Sequence, residues 1–456
     1  CDHYSYIKLY YYCKHFRSID KYKINNINSR ALNMDLNELK SRRLALAKMM
    51  QRNSVAIFSS ANKNFRTRDV ENPYRQHSDF LYMTGLSEPN LINLVFQHNN
   101  EITSILFRGN TSDHEKIWEG QRLDNLAIKE KYGFSEILDI SDYEDQILDY
   151  IKQKEIIYIE QGLNSKLDNI ILRKLKKSSA ADQKKIIPLS SITEKLRLVK
   201  SEYEIKMIKE AAKVSIEAHK KAMKESKPGI YEYELDAEIK YVFNKNNMHF
   251  AYMSIVGSGN NACTLHYIKN DSLLKDKDLV LIDAAAENNG YASDITRTFP
   301  VNGKFTEEQS LIYDIVLKAQ EKTIEFIRPG VTWNDVHQIT VNEISKGLIE
   351  LNLLKDNFEN ILKNELYKEF FMHRTGHWLG LDVHDVGEYE NILFEPGMVI
   401  TVEPGIYINA SNKSVPKKWR GIGVRIEDDV LITKDGNEVI TKDLAKERNE
   451  IEALCS

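Results

Sequence analysis

Residues 279–299 read LVLIDAAAENNGYASDITRTF, and this stretch decides how the second half of the chain is interpreted. Residues 279–283 form an apolar run of strand length, and residues 288–290 have the composition of a hairpin turn that leads into a returning strand. In such a hairpin, Asp283 and Asp294 are predicted to lie nearly opposite each other. Carboxylates at cross-strand positions repel each other, so the arrangement makes physical sense if a cation lies between them. The alternative, two turn-flanking aspartates that face water, stays open at this point.

Three histidines fall within twelve residues of one glycine-containing segment. Residues 371–385 read FMHRTGHWLGLDVHD and include His373, His377 and His384. Histidine is the side chain most often tuned for metal ligation or proton transfer near neutral pH. A single buried histidine would usually be structural, whereas three together predict a functional segment.

Glutamates end two further β-rich runs. Residues 398–403 read MVITVE and end on Glu403 before a Pro-Gly pair, and residues 423–427 read GVRIE and end on Glu427. Arg425 is predicted to share a strand face with Glu427, because side chains alternate along a strand. Either glutamate alone would be an ordinary edge residue. Together with two aspartates and one histidine, they form an oxygen-rich set that suits two hard or borderline divalent ions, Mn²⁺ foremost.

Composition limits the size class and the partners. With 456 residues and 42% apolar content, the chain can bury a large core and is longer than one typical domain. The formal charge is only −4 and the basic residues are dispersed, which predicts no nucleic-acid or membrane-surface partner. No run approaches the roughly 20 apolar residues of a transmembrane helix, and four cysteines without ligand spacing favour a reducing compartment. We therefore expect a cytoplasmic protein that acts on small molecules or peptides.

Two α/β regions are predicted. Asp35 is expected to cap the first helix, with Glu38 as the capping-box partner. The strands that follow are predicted at residues 55–58, 91–96, 102–107 and 156–159. The predicted organisation is a tail over residues 1–33, an N-terminal domain over 34–191 and a second domain over 192–456.

The second domain contains two similar segments that suggest an internal repeat. Residues 201–204, SEYE, are predicted to cap a long helix that reaches about residue 225. Residues 227–230, KPGI, and residues 328–331, RPGV, each follow a long helical pattern and lead into another one. This spacing suggests a duplicated α/β unit, although Pro-Gly also ends helices outside repeats.

Residues 1–33 differ from the rest of the chain. They hold six Lys/Arg, two Asp and six Tyr. Three interpretations stay open: an organelle targeting peptide, a disordered tail, or translated sequence upstream of a start at Met34. A targeting peptide would place the protein in mitochondria instead of the cytoplasm.

The predicted ligands, in their order along the chain, resemble the metal signature of the pita-bread metallopeptidases. They are Asp283, Asp294, His377, Glu403 and Glu427. The resemblance covers about 420 residues and is strongest to the aminopeptidase P branch, whose N-terminal domain is resembled by residues 72–85, NPYRQHSDFLYMTG, and residues 117–120, IWEG. It implies an α/β (α+β) fold, with a creatinase-like N-terminal α/β domain and a C-terminal pita-bread catalytic domain that has internal pseudo-duplication.

The resemblance also implies an activity, namely metal-dependent hydrolysis of an N-terminal Xaa-Pro bond in peptides by a metal-bridging hydroxide. Asp294 and Glu427 resemble the ligands that bridge two ions. Asp283 then serves one ion, and His377 with Glu403 serves the other. Glu403 would also orient the nucleophile as general base.

Further residues are assigned by the same resemblance. His266 and His384 resemble histidines that stabilise the tetrahedral intermediate and help deliver a proton to the leaving proline nitrogen, and His373 resembles the wall of the substrate pocket. The residues expected to hold the ligating carboxylates through hydrogen bonds are Arg425, Thr296 and Tyr407, with plain packing as the alternative.

Alternatives to this activity stay open. A prolidase has similar metals but cleaves only Xaa-Pro dipeptides, and an inactive pita-bread binding module or a metal-free creatinase-like hydrolase would be expected to lack ligands that this chain retains. Homo-oligomerisation, as a dimer or tetramer, is implied by the family. Arg374 departs from the family, in which many members carry glycine after the first histidine, and it bears on loop shape and substrate reach.

Overall fold

The structure, a computed structural model, describes residues 34–98, 101–176 and 184–455. The three interpretations of the tail over residues 1–33 therefore concern residues outside this description. The chain divides into two compact units, with the boundary between Leu189 and Ser190. Among the described helices, none is long and apolar enough to cross a membrane.

The first unit is built on a mixed sheet of six described strands in the order β4-β3-β2-β1-β5-β6. All four strands predicted from apolar runs form, and β1 pairs with β2 in antiparallel and with β5 in parallel orientation. Val55 and Ile57 of the first strand pack in an apolar core with Ile147 and Leu167 from two helices. The strands are β1 Ser54–Ser59, β2 Ile92–His98, β3 Glu101–Phe107, β4 Glu136–Leu138, β5 Ile156–Ile159 and β6 Lys185–Ile187, and the helices are α1 Leu36–Met49, α2 Ser78–Thr84, α3 Asp113–Glu119, α4 Asn125–Tyr132, α5 Tyr143–Lys152 and α6 Ser165–Lys176.

The cap of the first helix forms in a simpler way than predicted. The Asp35 side chain accepts a hydrogen bond from the Asn37 backbone N–H, as a helix cap should. Glu38 does not complete a capping box, because its carboxylate pairs with the Arg42 guanidinium one turn later. The cap prediction is confirmed and its capping-box detail is wrong.

The second unit alternates long helices with short strands. Its helices are α7 Ser190–Leu198, α8 Glu202–Glu225, α9 Glu232–Lys245, α10 Glu307–Phe326, α11 Trp333–Glu350, α12 Phe358–Lys363 and α13 Arg448–Leu454. Its strands are β7 His249–Phe250, β8 Ile255–Ser258, β9 Leu279–Asp283, β10 Ala286–Asn288, β11 Tyr291–Ala292, β12 Thr296–Pro300, β13 Val399–Val402, β14 Gly405–Ile408, β15 Ile422–Arg425, β16 Asp428–Ile432 and β17 Asn437–Val439. The mixed α/β class is confirmed.

The two similar Pro-Gly segments each join a pair of helices. The first Pro-Gly joins α8 to α9 and the second joins α10 to α11, and the capping box of α8 at Ser201 and Glu204 forms as predicted. Gly229 and Gly330 occupy equivalent turn positions with φ of 92° and 86°, a backbone conformation that glycine adopts without a Cβ clash. One pair shares an apolar core with β9 and β12, and the other with β14 and β15.

The hairpin over residues 279–299 corrects one prediction. The Asn289-Gly290 loop has positive φ at both residues, as a two-residue hairpin turn requires, and it sets Asp283 opposite Thr296. Asp294 therefore lies two positions away from a direct partner of Asp283. Because strand side chains alternate, this diagonal offset still places both carboxylates on one face.

A second correction concerns the glutamates. Arg425 ends β15 and Glu427 precedes β16, so the two residues do not share a continuous strand. The ladder of β13–β14 with β15–β16 is interrupted at Pro404, which has no N–H to donate. The register on both sides of this interruption sets Glu403 across from Glu427, which the sequence analysis did not predict.

Candidate metal centre

A cavity of about 290 Å³ in the second unit gathers the predicted site. It lies where the aspartate hairpin meets the interrupted glutamate ladder, since the Glu427 N–H donates to the Thr296 carbonyl at 3.0 Å. Thr296 and Tyr407 are buried behind the wall. The predicted residues that line the cavity are Asp283, Asp294, His377, Glu403, Glu427, His266, His373, His384 and Arg425.

Backbone contacts hold the histidine segment against the ladder. A Cβ on Gly376 would lie 2.0 Å from the Thr401 carbonyl oxygen, so this close approach requires glycine. The His377 N–H donates to Thr401 Oγ1 at 3.0 Å, and the Glu403 N–H donates to the Thr375 carbonyl at 2.8 Å. One ligand-bearing segment is thus fixed directly on the strand that carries another.

His377 is oriented as a ligating imidazole would be. Its Nδ1 lies 2.9 Å from the Trp378 carbonyl, which accepts the ring N–H and leaves Nε2 directed into the cavity. Nε2 lies 3.3 Å from Asp294 Oδ2 and 3.6 Å from Glu403 Oε1. Burial opposes protonation, but the Asp294 hydrogen bond and the Glu403 charge outweigh it and raise the pKa of His377 to about 9. The carboxylates therefore attract positive charge to this nitrogen, whether a proton or a metal ion.

The acidic residues are crowded; Asp294 and Glu427 are buried, and Asp283 and Glu403 are partly exposed. Burial and the neighbouring carboxylates raise the pKa of Glu427 well above its usual value, and burial raises that of Glu403 to about 7. Burial also raises the pKa of Asp283, although the Arg425 charge opposes this. Like charges at such distances are costly unless cations compensate them.

The donor set fits divalent metal ions. Ligand atoms of Asp294, His377 and Glu427 all lie within 4.8 Å of one another. The Tyr252 hydroxyl contacts Asp283 Oδ1, at 2.6 Å, and Asp294 Oδ1. Its single proton can satisfy only one of the two at a time. Four carboxylates and one imidazole in one cavity are the ligands that Mn²⁺ or Zn²⁺ would use.

Three buried side chains hold the acidic wall in place. Arg425 Nη2 donates to Asp283 Oδ2 at 2.6 Å, and its Nε donates to Thr296 Oγ1 at 3.0 Å. The Thr296 hydroxyl in turn donates to Glu427 Oε2 at 2.6 Å. Arg425 Nη1 also donates to Tyr407 Oη at 3.2 Å, and that oxygen lies 2.9 Å from His373 Nε2. These contacts connect two carboxylates and one histidine through a single guanidinium.

The other histidines lie around the ligands. His373 Nδ1 lies 3.8 Å from Glu403 Oε2, and burial lowers the pKa of His373 to about 3. The rings of His377 and His384 have centroids 4.2 Å apart, and burial together with the His377 charge lowers the pKa of His384. His266 completes this part of the wall. All three predicted histidines thus face the space beside the acidic residues.

Sequence reasoning missed several residues that support the site. Tyr252 has no motif around it and approaches the aspartates only in three dimensions. Asp429 was detectable as the end of an acidic run, residues 427–429, and its carboxylate accepts hydrogen bonds from the Asp294 N–H and from the Ser293 hydroxyl. Asp385 anchors the segment after His384, because its carboxylate forms ion pairs with buried Arg197 and Lys200.

Comparison with known proteins agrees with this geometry. The model of metallopeptidase family M24 matches residues 206–434, and that of the aminopeptidase P N-terminal domain matches residues 39–158. The chain is 42% identical to Xaa-Pro aminopeptidase of Escherichia coli over 91% of this chain and 97% of that protein.

Solved structures give the same result. Pseudomonas aeruginosa aminopeptidase PepP superposes with a TM-score of 0.90 at 42% identity, over 93% of this chain and 98% of that one. A zinc-substituted E. coli aminopeptidase P in complex with product has a TM-score of 0.89 at 41% identity, over the same shares. The chain belongs to metallopeptidase family M24. Within that family it belongs to the aminopeptidase P group, because both domains match over nearly the whole length of these relatives.

Proposed function

We propose that this enzyme removes the N-terminal residue of peptides with proline at the second position, and that two divalent metal ions activate the attacking water. The activity is supported by relatives that are named Xaa-Pro aminopeptidases and match both domains. The metal assignment rests on one observation: ligand atoms of Asp294, His377 and Glu427 lie within 4.8 Å of one another, and Asp283 and Glu403 line the same cavity. Mn²⁺ is the ion that the oxygen-rich set favours.

When bound, a pair of divalent ions would lower the pKa of a water molecule and polarise the scissile carbonyl. Asp294 and Glu427 would hold both ions, Asp283 would hold one of them, and His377 with Glu403 would hold the other. Glu403 would also orient the attacking water and accept its proton as general base.

The surrounding histidines would act on the substrate. His266 and His384 face the cavity, from which their ring nitrogens can donate to a developing oxyanion or to the leaving proline nitrogen. His373 is held by Tyr407 and is largely neutral, so it can form part of the wall against the proline ring. An Xaa-Pro bond has no N–H at the scissile position, which is why an apolar wall is expected there in place of a carbonyl acceptor.

Hydrolysis of Arg-Pro-Pro and of Gly-Pro by metal-stripped enzyme, before and after Mn²⁺ addition, tests this proposal. We expect metal-dependent release of free Arg from the tripeptide, and a fall in kcat of about 10²- to 10⁴-fold in Glu403→Ala. The matched control is Glu390→Ala, an exposed glutamate outside the cavity wall. Cleavage of Gly-Pro alone would show a prolidase, and cleavage of neither peptide would show an inactive module.

The proposed domains are a tail over residues 1–33, an N-terminal domain over 34–191 and a catalytic domain over 192–456. We also propose a homo-oligomer, either dimer or tetramer, in the cytoplasm, on the basis of the family resemblance and the composition. Sedimentation equilibrium and cell fractionation would test these two points. A mitochondrial fraction would instead favour the targeting interpretation of residues 1–33.

A further inference from the structure

Arg374 is a cation in the wall of the catalytic cavity that has no acidic partner within the described residues. It lies between His373 and His377 and is exposed. Its guanidinium makes one long hydrogen bond, from Nη1 to Asn334 Oδ1 at 3.4 Å. Arg425, the other arginine in the wall, is fully engaged with Asp283, Thr296 and Tyr407.

The charges of Arg374 and Lys368 both act on the same neighbouring histidine. Burial, together with the charges of Arg374 and Lys368, lowers the pKa of the neighbouring His337 to about 4. Lys368 itself pairs with Glu365, at 2.5 Å. Glu388 and Glu390 flank the lining residue Tyr389 in sequence, but among the described residues neither forms an ion pair with Arg374. An anion that enters the cavity therefore meets an available guanidinium.

The charges of the substrate determine which end of the peptide can approach Arg374. A peptide has an ammonium group on the amino side of the scissile bond, and only one residue lies on that side. A carboxylate on the amino side can come only from the side chain of that first residue. All other carboxylates of the substrate lie after the scissile bond, on the side of the proline. A guanidinium repels the ammonium and pairs with a carboxylate in a fork geometry that lysine lacks.

We propose that Arg374 forms a subsite for a carboxylate carried by the peptide after its proline. This inference rests on the proposed aminopeptidase activity and adds a substrate preference to it. The carboxylate can come from an acidic side chain at the third position or from the C-terminus of a tripeptide. Arg374 is thus a specificity residue that leaves the chemistry itself to the buried ligands.

The test compares kcat/KM of the Mn²⁺-loaded enzyme for Ala-Pro-Asp-amide and Ala-Pro-Asn-amide, and separately for Ala-Pro-Asn with a free or amidated C-terminus. At low salt we expect a preference of about two- to five-fold for the carboxylate in at least one pair, as for an exposed ion pair. The first pair reports a side-chain carboxylate and the second a C-terminal one. The preference should shrink at 0.5 M salt, because salt screens exposed charges.

Three variants decide the outcome. Arg374→Gln should abolish the preference, Arg374→Glu should make Ala-Pro-Lys-amide better than Ala-Pro-Asp-amide, and the nearby control Lys368→Gln should keep the parent preference. The inference is overturned if the parent shows no carboxylate preference, or if Arg374→Gln retains it. Failure to cleave any of these peptides would instead contradict the proposed function itself, so the two failures are distinguishable.

Discussion

Glu427 and Asp428 are consecutive, almost completely buried carboxylates, and their environments shift their pKa values in opposite directions. Burial and three neighbouring carboxylates raise the pKa of Glu427 well above its usual value. Asp428 is just as buried, but the Arg297 and Lys446 charges lower its pKa. Glu427 thus belongs to a cluster in which carboxylates outnumber the protein cations, whereas Asp428, the next residue, belongs to a cluster whose charges are balanced within the protein.

The hydrogen-bond partners explain the difference. Asp428 accepts from Arg297 Nη2 at 2.7 Å and from Lys446 Nζ at 3.1 Å, and Gln320 and Thr441 each donate to it at 2.7 Å. The Glu427 side chain accepts from the Thr296 hydroxyl, which lies behind the cavity wall. A buried carboxylate whose oxygens are all hydrogen-bonded to cations or donors has a structural role. Buried carboxylates that repel one another instead favour the binding of cations.

The largest expected effect is on activity, through Glu427→Gln. We expect kcat/KM for Arg-Pro-Pro at saturating Mn²⁺ to fall more than about 100-fold, beyond the 10- to 100-fold typical of outer-shell changes. In metal-free protein the same variant should be at least as stable to urea as the parent, because it removes a buried carboxylate that its neighbours repel. A clear loss of metal-free stability would contradict the distinction between the two clusters.

The second prediction concerns Asp428→Asn, which leaves Arg297 buried without its counter-ion. We expect the free energy of unfolding in urea to fall by about 3–5 kcal/mol, in metal-free and in Mn²⁺-loaded protein alike. Asp443→Asn is the matched control, since Asp443 is exposed, and should change stability by less than about 0.5 kcal/mol. A loss below about 1 kcal/mol for Asp428→Asn would show that the balanced network is not what stabilises this junction.

The contrast also shows which parts of the site were predictable. The Asn-Gly turn specifies the hairpin, and counting outward from its two-residue loop pairs Asp283 with Thr296, so even the diagonal offset was available from the sequence. The pairing of Glu403 with Glu427 was not, because it depends on an interruption at Pro404 within a longer ladder. Local turn chemistry is encoded by a few adjacent residues, whereas a register across a distant pair of strands is not.

Residues that act through distant contacts were the least predictable. Tyr252 is 31 positions before Asp283 and reaches both aspartates only because β8 and β9 pair. Lys200 has no spacing that distinguishes it from a surface charge, and for Asp429 the only signal is the acidic run over residues 427–429. Candidate ligands can be proposed from sequence because metal chemistry restricts residue type, whereas a hydrogen-bond donor to such a residue can come from many types and positions.

The smallest effect predicted in this comparison comes from His219, which lies behind the aspartate hairpin. It is completely buried, with Nε2 2.9 Å from the Ala284 carbonyl. Burial, together with the charge of Arg297, lowers its pKa from 6.5 to about 4. Because the unfolded imidazole binds a proton at a higher pH than the folded one, the stability that His219 contributes is present above about pH 6.5 and is lost as the pH falls toward 4.

His219→Gln isolates this contribution, since an amide can still donate to the Ala284 carbonyl but does not titrate. Between pH 7 and pH 5 we expect the parent to lose about 2 kcal/mol more stability than the variant, as the two pKa values require. Urea unfolding of metal-free protein at both pH values, with unchanged m-values, measures the difference. Equal losses in both proteins would mean that the fold does not lower the pKa of His219, so that the folded imidazole is protonated at pH 5. The hairpin would then have a positive charge behind its aspartates, and the cavity would need less cationic charge than the contrast between Glu427 and Asp428 implies.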